Sequence, residues 1–143
     1  MKNRNPITKL TLLFAVSLAF GAATAQANVL PVATIGFSPV GLTMDQTARL
    51  NLVNTSEPGG IFVAWRFIDA KGLVIAQSTV TLPLGTIVSI DYKRPGDPIE
   101  SRAEIRAQVD IFTSVSAESL HASLEVFDNV TGATTVCMAG AVQ

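Results

Sequence analysis

Residues 102–111 alternate between polar and apolar side chains without a break. The side chains of a β-strand point to opposite faces with a period of two, whereas a helix has a period of about 3.6 residues. The segment therefore predicts a β-strand with one buried face and one solvated face, as in antiparallel sheets. Its apolar positions are Ala103, Ile105, Ala107, Val109 and Ile111.

Residues 61–82 predict a β-hairpin in the middle of a sheet. Two runs rich in Val, Ile, Phe, Trp and Thr, which favour strands, flank the segment Asp-Ala-Lys-Gly at residues 69–72. Asp69 suits the start of a type I turn, and Gly72 suits the left-handed position that closes a three-residue loop. The alternation around Trp65 places this side chain on the core face.

The register of residues 73–82 stays open from the sequence. With the loop at residues 70–72, Asp69 lies opposite Leu73 and Trp65 lies opposite Gln77, which places a polar residue against the tryptophan. A bulge near Gln77 to Thr79 would restore the apolar pattern, because one extra residue turns every later side chain to the other face.

The remaining segments carry shorter signals for strands, loops and turns. Proline cannot donate to a strand ladder, so we expect the strand that ends at Ser38-Pro39 to be an edge strand or a terminal strand. We expect residues 113–120 to form a loop or one short helical turn, and residues 139–143 to be loose. The further predicted strands are residues 33–37, 48–53, 86–92, 121–127 and 133–138, with a second hairpin loop at residues 128–132.

About seven or eight short strands without a convincing helix favour an all-β, two-sheet antiparallel sandwich. A small closed barrel is the alternative. Residues 28–143 show no linker and no repeat, so we expect a single domain. We expect residues 93–101, which are polar and rich in proline, to form an exposed loop.

The first 27 residues have the three parts of a secretory signal peptide. Lys2, Arg4 and Lys9 precede a short apolar run, and small residues follow it up to Ala27. The apolar run is shorter than the roughly 20 residues of a membrane-spanning helix. We therefore predict cleavage after Ala27 and a secreted, periplasmic or cell-envelope protein with no membrane span after signal removal.

The charge excludes several kinds of partner. Of ten basic and eleven acidic residues, three basic ones lie in the signal segment, so residues 28–143 keep seven basic and eleven acidic residues. This balance provides neither the basic patch that binds nucleic acid nor a polybasic surface for anionic lipid.

Nucleophile, metal and cofactor motifs are missing from the sequence. Cys137 is the only cysteine and His121 the only histidine, so an intramolecular disulfide and a histidine cluster are impossible. We expect Cys137 to be buried, although an exported lone thiol can also pair between molecules. Glu125, Asp128 and Asp110 would form a carboxylate site only if their strands converge. We expect no catalytic residue, no metal and no cofactor.

Two resemblances accompany this pattern. The tryptophan in Val63-Ala64-Trp65-Arg66-Phe67 resembles the central-strand tryptophan of immunoglobulin-like or fibronectin type III-like sandwiches. Residues 46–51, 76–82 and 124–129 (QTARLN, AQSTVTL and LEVFDN) resemble a group of small exported bacterial proteins of unknown function. These resemblances imply an exported β-sandwich and no particular catalytic residue.

The sequence therefore favours a non-enzymatic module that binds another envelope or extracellular protein or forms part of such an assembly. The first alternative is a carbohydrate-binding module, for which Phe62, Tyr92 and Phe127 are the surface aromatic candidates. The second is a small hydrolase built from carboxylates. The sequence does not indicate the oligomeric state.

Overall fold

The computed structural model describes residues 29–94, 102–114 and 116–143. The predicted signal peptide with its cleavage point, and most of the predicted loop at residues 93–101, lie outside these ranges. The described elements in chain order are β1 (Ala33–Gly36), β2 (Val40–Leu42), β3 (Gln46–Asn54), β4 (Ile61–Asp69), β5 (Val74–Leu82), β6 (Ile87–Lys93), β7 (Ala103–Ile111), a 3₁₀ helix (Ala117–Ser119), β8 (Leu120–Asp128), β9 (Thr134–Ala139) and β10 (Ala141–Val142).

These strands form two antiparallel sheets, so the predicted all-β sandwich is confirmed. The large sheet has the order β10–β1–β7–β4–β5, and β2 also pairs with β7 beyond the end of β1. The small sheet has the order β6–β3–β8–β9. The strands outnumber the prediction because β2 and β10 are only three and two residues long and carry little periodic signal.

The core lies between the inward faces of the two sheets. The alternation in residues 102–111 is confirmed, since its apolar side chains face this core and its charged ones face outwards. The buried core residues are Ile35, Phe37, Val40, Leu42, Ala48, Leu50, Leu52, Ile61, Val63, Phe67, Leu82, Ile105, Ala107, Val109, Ile111, Leu120, Leu124 and Val126. Trp65 is half-buried and packs against this cluster, which agrees with the predicted core face.

The central hairpin forms the predicted loop and resolves the open register. The Asp69 N–H donates to the Leu73 carbonyl at 2.9 Å, and Gly72 has a φ of 83°. The register shifts at Phe67 and Ile68, which pair with Ala76 and Val74 and leave one extra residue between them. A bulge therefore exists, but it lies next to the turn rather than at residues 77–79.

The bulge restores the apolar pattern for the rest of β5. Trp65 lies opposite Ser78 rather than Gln77, and Val63 lies opposite Val80. As a result Val80 packs against the core while Gln77 is exposed on the other face.

The C-terminal tail is ordered, so the expectation of a loose tail is wrong. Residues 141–142 pair with β1, and the Gln143 N–H donates to the Thr34 carbonyl at 2.9 Å. Consequently β1 lies between β7 and β10 rather than at an edge of its sheet. It is the first strand of the described residues, which agrees with the other option that we expected from Pro39, a terminal strand. The chain changes sheets at Gly140, where a Cβ atom would collide with Ile35 and Phe37.

Two shorter predictions are also confirmed. The second hairpin turns at residues 128–132, where Gly132 has a φ of 71° and its N–H donates to the Asp128 carbonyl at 2.8 Å. The ambiguous segment at residues 113–120 contains one short turn, the 3₁₀ helix, which Ser116 caps through its side chain.

Candidate functional site

An ion pair lies on the outer face of the large sheet. Arg66 on β4 contacts Asp110 on the neighbouring strand β7, diagonally across the ladder. The Thr34 hydroxyl and the Gln108 side-chain amide donate to Asp110 Oδ1 at 2.9 and 3.0 Å. The Asp110 side chain is only 6% exposed, so three donors hold a nearly buried carboxylate. Such a carboxylate is stable only when it is paired and hydrogen-bonded in this way.

This ion pair lines a shallow groove beside β5. The groove has a volume of about 440 Å³, which lies within the roughly 300–1,000 Å³ of small-molecule sites. The Arg66 side chain is 33% exposed, so its guanidinium remains accessible from the groove. The lining residues are Ala64, Trp65, Arg66, Gln77, Ser78, Thr79, Asp110 and Phe112.

An aromatic pair lies beside the groove. Phe112, which lines it, packs against Phe62 with ring centroids 5.8 Å apart and planes tilted by 44°. Phe62 is 43% exposed, so part of its ring is open to solvent. The groove therefore offers an apolar face next to amide, hydroxyl and guanidinium donors.

The backbone of β5 presents unpaired polar groups next to the groove. The Phe112 N–H donates to the Phe62 carbonyl at 3.0 Å, so the polar backbone groups of Phe62 face β7. Those of Val63 face the other way, towards its partner Val80 on β5. Among the described residues, no strand pairs with the far side of β5. The residues whose N–H and C=O groups point outwards there are Gln77, Thr79 and Thr81.

This open edge lacks the usual protection of an edge strand. Native proteins protect edges with charged side chains, short strands or bulges, because an open ladder recruits further strands. β5 is nine residues long, and no charged residue lies between Gly72 and Ile90. Its bulge lies at the turn and leaves the ladder from Ala76 to Leu82 regular.

The other edges of the two sheets are better protected. β6 carries the charged residues Asp91 and Lys93. β10 has two residues and β2 has three. β9 has a register shift opposite Val126 and Phe127 and ends where the chain leaves the small sheet at Gly140. β5 is therefore the edge best suited to pairing with another strand within the part of the chain that the structure describes.

The outer face of the small sheet carries a separate polar network. Arg49 donates to both carboxylate oxygens of Asp91 at 2.6 and 2.8 Å. The hydrogen bond to Arg49 lowers the pKa of Asp91, and the same bond raises the pKa of Arg49. The Arg49 guanidinium also lies 4.8 Å from the centre of the Phe127 ring, within the range of a cation–π contact. The charges of Arg49 and Asp91 are therefore satisfied by each other.

The three predicted surface aromatic residues have different surroundings. Phe62 is exposed beside the groove. Phe127 is half-buried and covered by Arg49. Tyr92 is half-buried, with its ring centroid 5.4 Å from that of the core residue Phe67, and burial raises its pKa. Phe62 is therefore the one of the three that adjoins the groove.

The three acidic residues considered for a carboxylate site do not converge. Asp110 lies on the outer face of the large sheet and Glu125 on the outer face of the small sheet, with the core between them. Asp128 begins a hairpin turn, where its carboxylate accepts hydrogen bonds from Val130 and Thr131. Within residues 29–94, 102–114 and 116–143, no group of three or more His, Cys, Asp and Glu side chains could hold a metal ion.

Cys137 is exposed, so the expectation of a buried thiol is wrong. Met138 and Val136 on the same strand are half-buried and pack against the core, and alternation turns the residue between them outwards. β9 is the last strand of its sheet, which leaves this outward position open to solvent. His121 is also exposed, at the start of β8.

Comparison with known proteins found no matching family model, no similar curated protein and no similar solved structure. In the described part of the chain, no helix is both long and apolar enough to cross a membrane.

We did not predict two features from the sequence. One is the ion pair between Arg66 and Asp110, and the other is the open edge of β5. The pair involves strands 44 residues apart in sequence, and no local pattern indicates that β4 and β7 are neighbours. The absence of charge between Gly72 and Ile90 is visible in the sequence. It would have indicated an unprotected edge if the position of β5 in the sheet had been known.

Proposed function

We propose that this chain is an exported, non-enzymatic interaction module that binds an extended segment of another polypeptide along β5. The observation that carries the proposal is the regular, uncharged and open ladder from Ala76 to Leu82. Added strands gain affinity from main-chain hydrogen bonds and specificity from pockets that receive alternate side chains. The groove beside β5 provides such a pocket, because Gln77 and Thr79 belong both to the edge and to its lining.

We propose that export places the partner in the periplasm, the cell envelope or the extracellular space. The N-terminal pattern of basic residues, a short apolar run and Ala25-Gln26-Ala27 supports this location. An extracytoplasmic partner with an extended segment of low charge suits the edge, since β5 offers no charged side chain for it to pair with.

We further propose that the sandwich is related to the immunoglobulin-like class. The pairs β3–β6, β4–β7 and β4–β5 match the B–E, C–F and C–C′ neighbours of that fold. The outer strands differ, because β1 lies beside β7 and β8 lies beside β3, where that fold has its last and first strands respectively. The likeness is therefore limited to the five central strands, β3 to β7.

Edge-blocking substitutions test the proposed function. The outward N–H of Thr79 makes no bond to β4, so Thr79→Pro removes an edge donor and obstructs an added strand while the hairpin survives. The full-length gene is expressed with an affinity tag, and the recovered protein is used to capture partners from an extracytoplasmic fraction. We expect mass spectrometry to identify a partner that the Thr79→Pro variant loses.

Ser89→Pro on β6 is the matched control. The Asn54 N–H donates to the Thr86 carbonyl at 3.3 Å, and the alternation that follows turns the Ser89 N–H away from β3. This variant therefore removes an outward donor on the other sheet, together with the hydrogen bond from the Ser89 hydroxyl to Asn51 Oδ1, and should keep the partner. Equal capture by wild type and the Thr79→Pro variant would refute binding along β5.

A carbohydrate-binding module is the second candidate, and the exposed Phe62 beside the groove favours it. Sugars stack on exposed aromatic rings and bind amide, hydroxyl and guanidinium groups, which Gln77, Thr79 and Arg66 supply. A glycan array should then show ligands that Phe62→Ala loses and Phe127→Ala retains. An array without any bound glycan would end this alternative.

A further inference from the structure

The regular part of β5 is symmetric about one residue. It begins at Ala76, after the bulge, and ends at Leu82, before Pro83, so Thr79 is its middle residue. A two-fold axis through Thr79 would place two such strands antiparallel with their regular lengths fully overlapped. The bulge of each strand would lie beyond the end of the other and would not interrupt the ladder.

This arrangement pairs every outward backbone group of the edge. Thr79 would lie opposite Thr79 of the second copy, and Gln77 opposite Thr81. All three residues direct their N–H and C=O groups outwards, so these are hydrogen-bonded pairs with about six bonds in total. Their side chains would form Thr–Thr and Gln–Thr pairs on the outer face, and such cross-strand hydroxyl pairs are favourable.

Electrostatics also permit two identical edges to meet. No charge lies between Gly72 and Ile90, so like charges are not brought together along the junction. The nearest charged groups on the outer face, Arg66 and Asp110, neutralise each other. A partner recognised mainly through charge would gain nothing from this edge, whereas an identical strand gains all of its hydrogen bonds.

We propose that the segment bound by β5 is β5 of a second copy of this chain, antiparallel and centred on Thr79. The inference rests on the proposed function, because it identifies the partner of the same edge. The two large sheets become one continuous sheet across the junction, and the two grooves lie on the same face on either side of it.

Cysteine cross-linking tests the register directly. In a Cys137→Ser background, Thr79→Cys places two thiols opposite each other. The Cα atoms of a hydrogen-bonded antiparallel pair are about 5.5 Å apart, within the roughly 4.4–6.8 Å that a disulfide spans. After mild oxidation of the protein expressed from its full sequence, we expect a dimer band that disappears on reduction.

Two further single-cysteine variants provide the control. Gln77→Cys should not cross-link to itself, because the two positions are four residues, or about 13 Å, apart along the junction. It should cross-link when mixed with the Thr81→Cys variant. Self-cross-linking of Gln77→Cys at the level of Thr79→Cys would show random collision and overturn the proposed register.

A charge exchange provides an independent measurement. Thr79→Lys and Thr79→Glu should each lose the dimer mass in light scattering, and an equal mixture should recover it, with circular dichroism confirming that both variants are folded. If the wild-type protein is monomeric in light scattering and the Thr79→Cys variant forms no cross-link, the second copy is overturned as the partner. The proposed function then stands or falls separately, according to whether Thr79→Pro loses a different captured protein.

Discussion

At the scale of single residues, the outer face of the large sheet depends on Asp110. Its carboxylate is almost out of reach of water, and each of its oxygens has a protein donor. Removing one member of a buried ion pair leaves the groups that bonded to it unsatisfied. The stability lost in this way exceeds the net stability that the pair contributes. The position is therefore both a stability determinant and one wall of the groove.

We expect Asp110→Ala to lower the free energy of unfolding by about 2–3 kcal/mol. The value is below that of a fully buried pair because Arg66 is one-third exposed and can turn towards water. Urea unfolding followed by far-ultraviolet circular dichroism measures the change. Glu104→Ala, an exposed acid on the same strand, is the control. A loss for Asp110→Ala that is no larger than that of this control would contradict the role of the ion pair.

The turn residue Asp128 predicts a pH dependence. Two hydrogen bonds from Thr131 lower the pKa of Asp128 below its ordinary value of 3.8. The bond from the Thr131 N–H has the larger effect, and the bond from its hydroxyl has the next largest. The folded protein thus binds this proton less tightly than the unfolded chain. The stabilisation is complete above the unfolded pKa and is lost as the pH falls through the folded pKa.

We expect Thr131→Val to raise the pKa of Asp128 part of the way towards 3.8, because one of the donors disappears. The titration of the Asp128 carboxyl carbon followed by NMR measures the shift. Thr134→Val, an exposed threonine in the return strand, should leave the titration unchanged. An unaltered titration in Thr131→Val would mean that the hydroxyl does not contribute.

At the scale of elements, the periodic strands were predictable and the short ones were not. Residues 102–111 turn one face towards the core, so their alternation follows directly from its packing. β10 has two residues, both exposed, and its pairing with β1 depends on a long-range contact that no local pattern encodes. The same reason explains the misplaced bulge, since the register of β5 is set by the core contacts of Val80 and Leu82.

Gly140 lies where the chain crosses from the small sheet to β10 in the large sheet. Its N–H donates to the Ala122 carbonyl at 2.9 Å in the small sheet, and the next residue already pairs in the large sheet. A side chain at this crossing would collide with Ile35 and Phe37. Overpacking of this kind forces the neighbouring backbone to move.

We therefore expect Gly140→Ala to release β10 from β1. The Gln143 amide, which donates to Thr34, should lose its protection from hydrogen exchange, while amides in β7 and β4 keep theirs. Ala139→Ser, at the exposed neighbouring position, serves as the control. Retained protection at Gln143 in the Gly140→Ala variant would show that the crossing accommodates a methyl group.

At the scale of the whole molecule, the two sheets are held together by the core and by the chain connections between them. The strand ladders run within each sheet, whereas Phe67 of the large sheet packs on Tyr92 of the small one. One buried side-chain hydrogen bond also joins the sheets, because the Asn54 amide of β3 donates to the Leu82 carbonyl of β5 at 2.8 Å. Neither sheet can bury its apolar face without the other. The stability of the large sheet, and with it the geometry of the β5 edge, should therefore depend on the core residues of the small sheet.

Leu50→Ala tests this dependence, because Leu50 is fully buried in the centre of the small sheet while the only tryptophan, Trp65, lies in the large one. The substitution should cost about 2–5 kcal/mol, as large-to-small changes in a core do. If the sheets unfold together, the midpoints from Trp65 fluorescence and from far-ultraviolet circular dichroism shift by the same amount. Ile87→Ala, at an exposed position of the small sheet, should shift neither. A fluorescence midpoint that stays in place while the dichroism midpoint falls would mean that the large sheet, including the β5 edge, is stable without its partner layer.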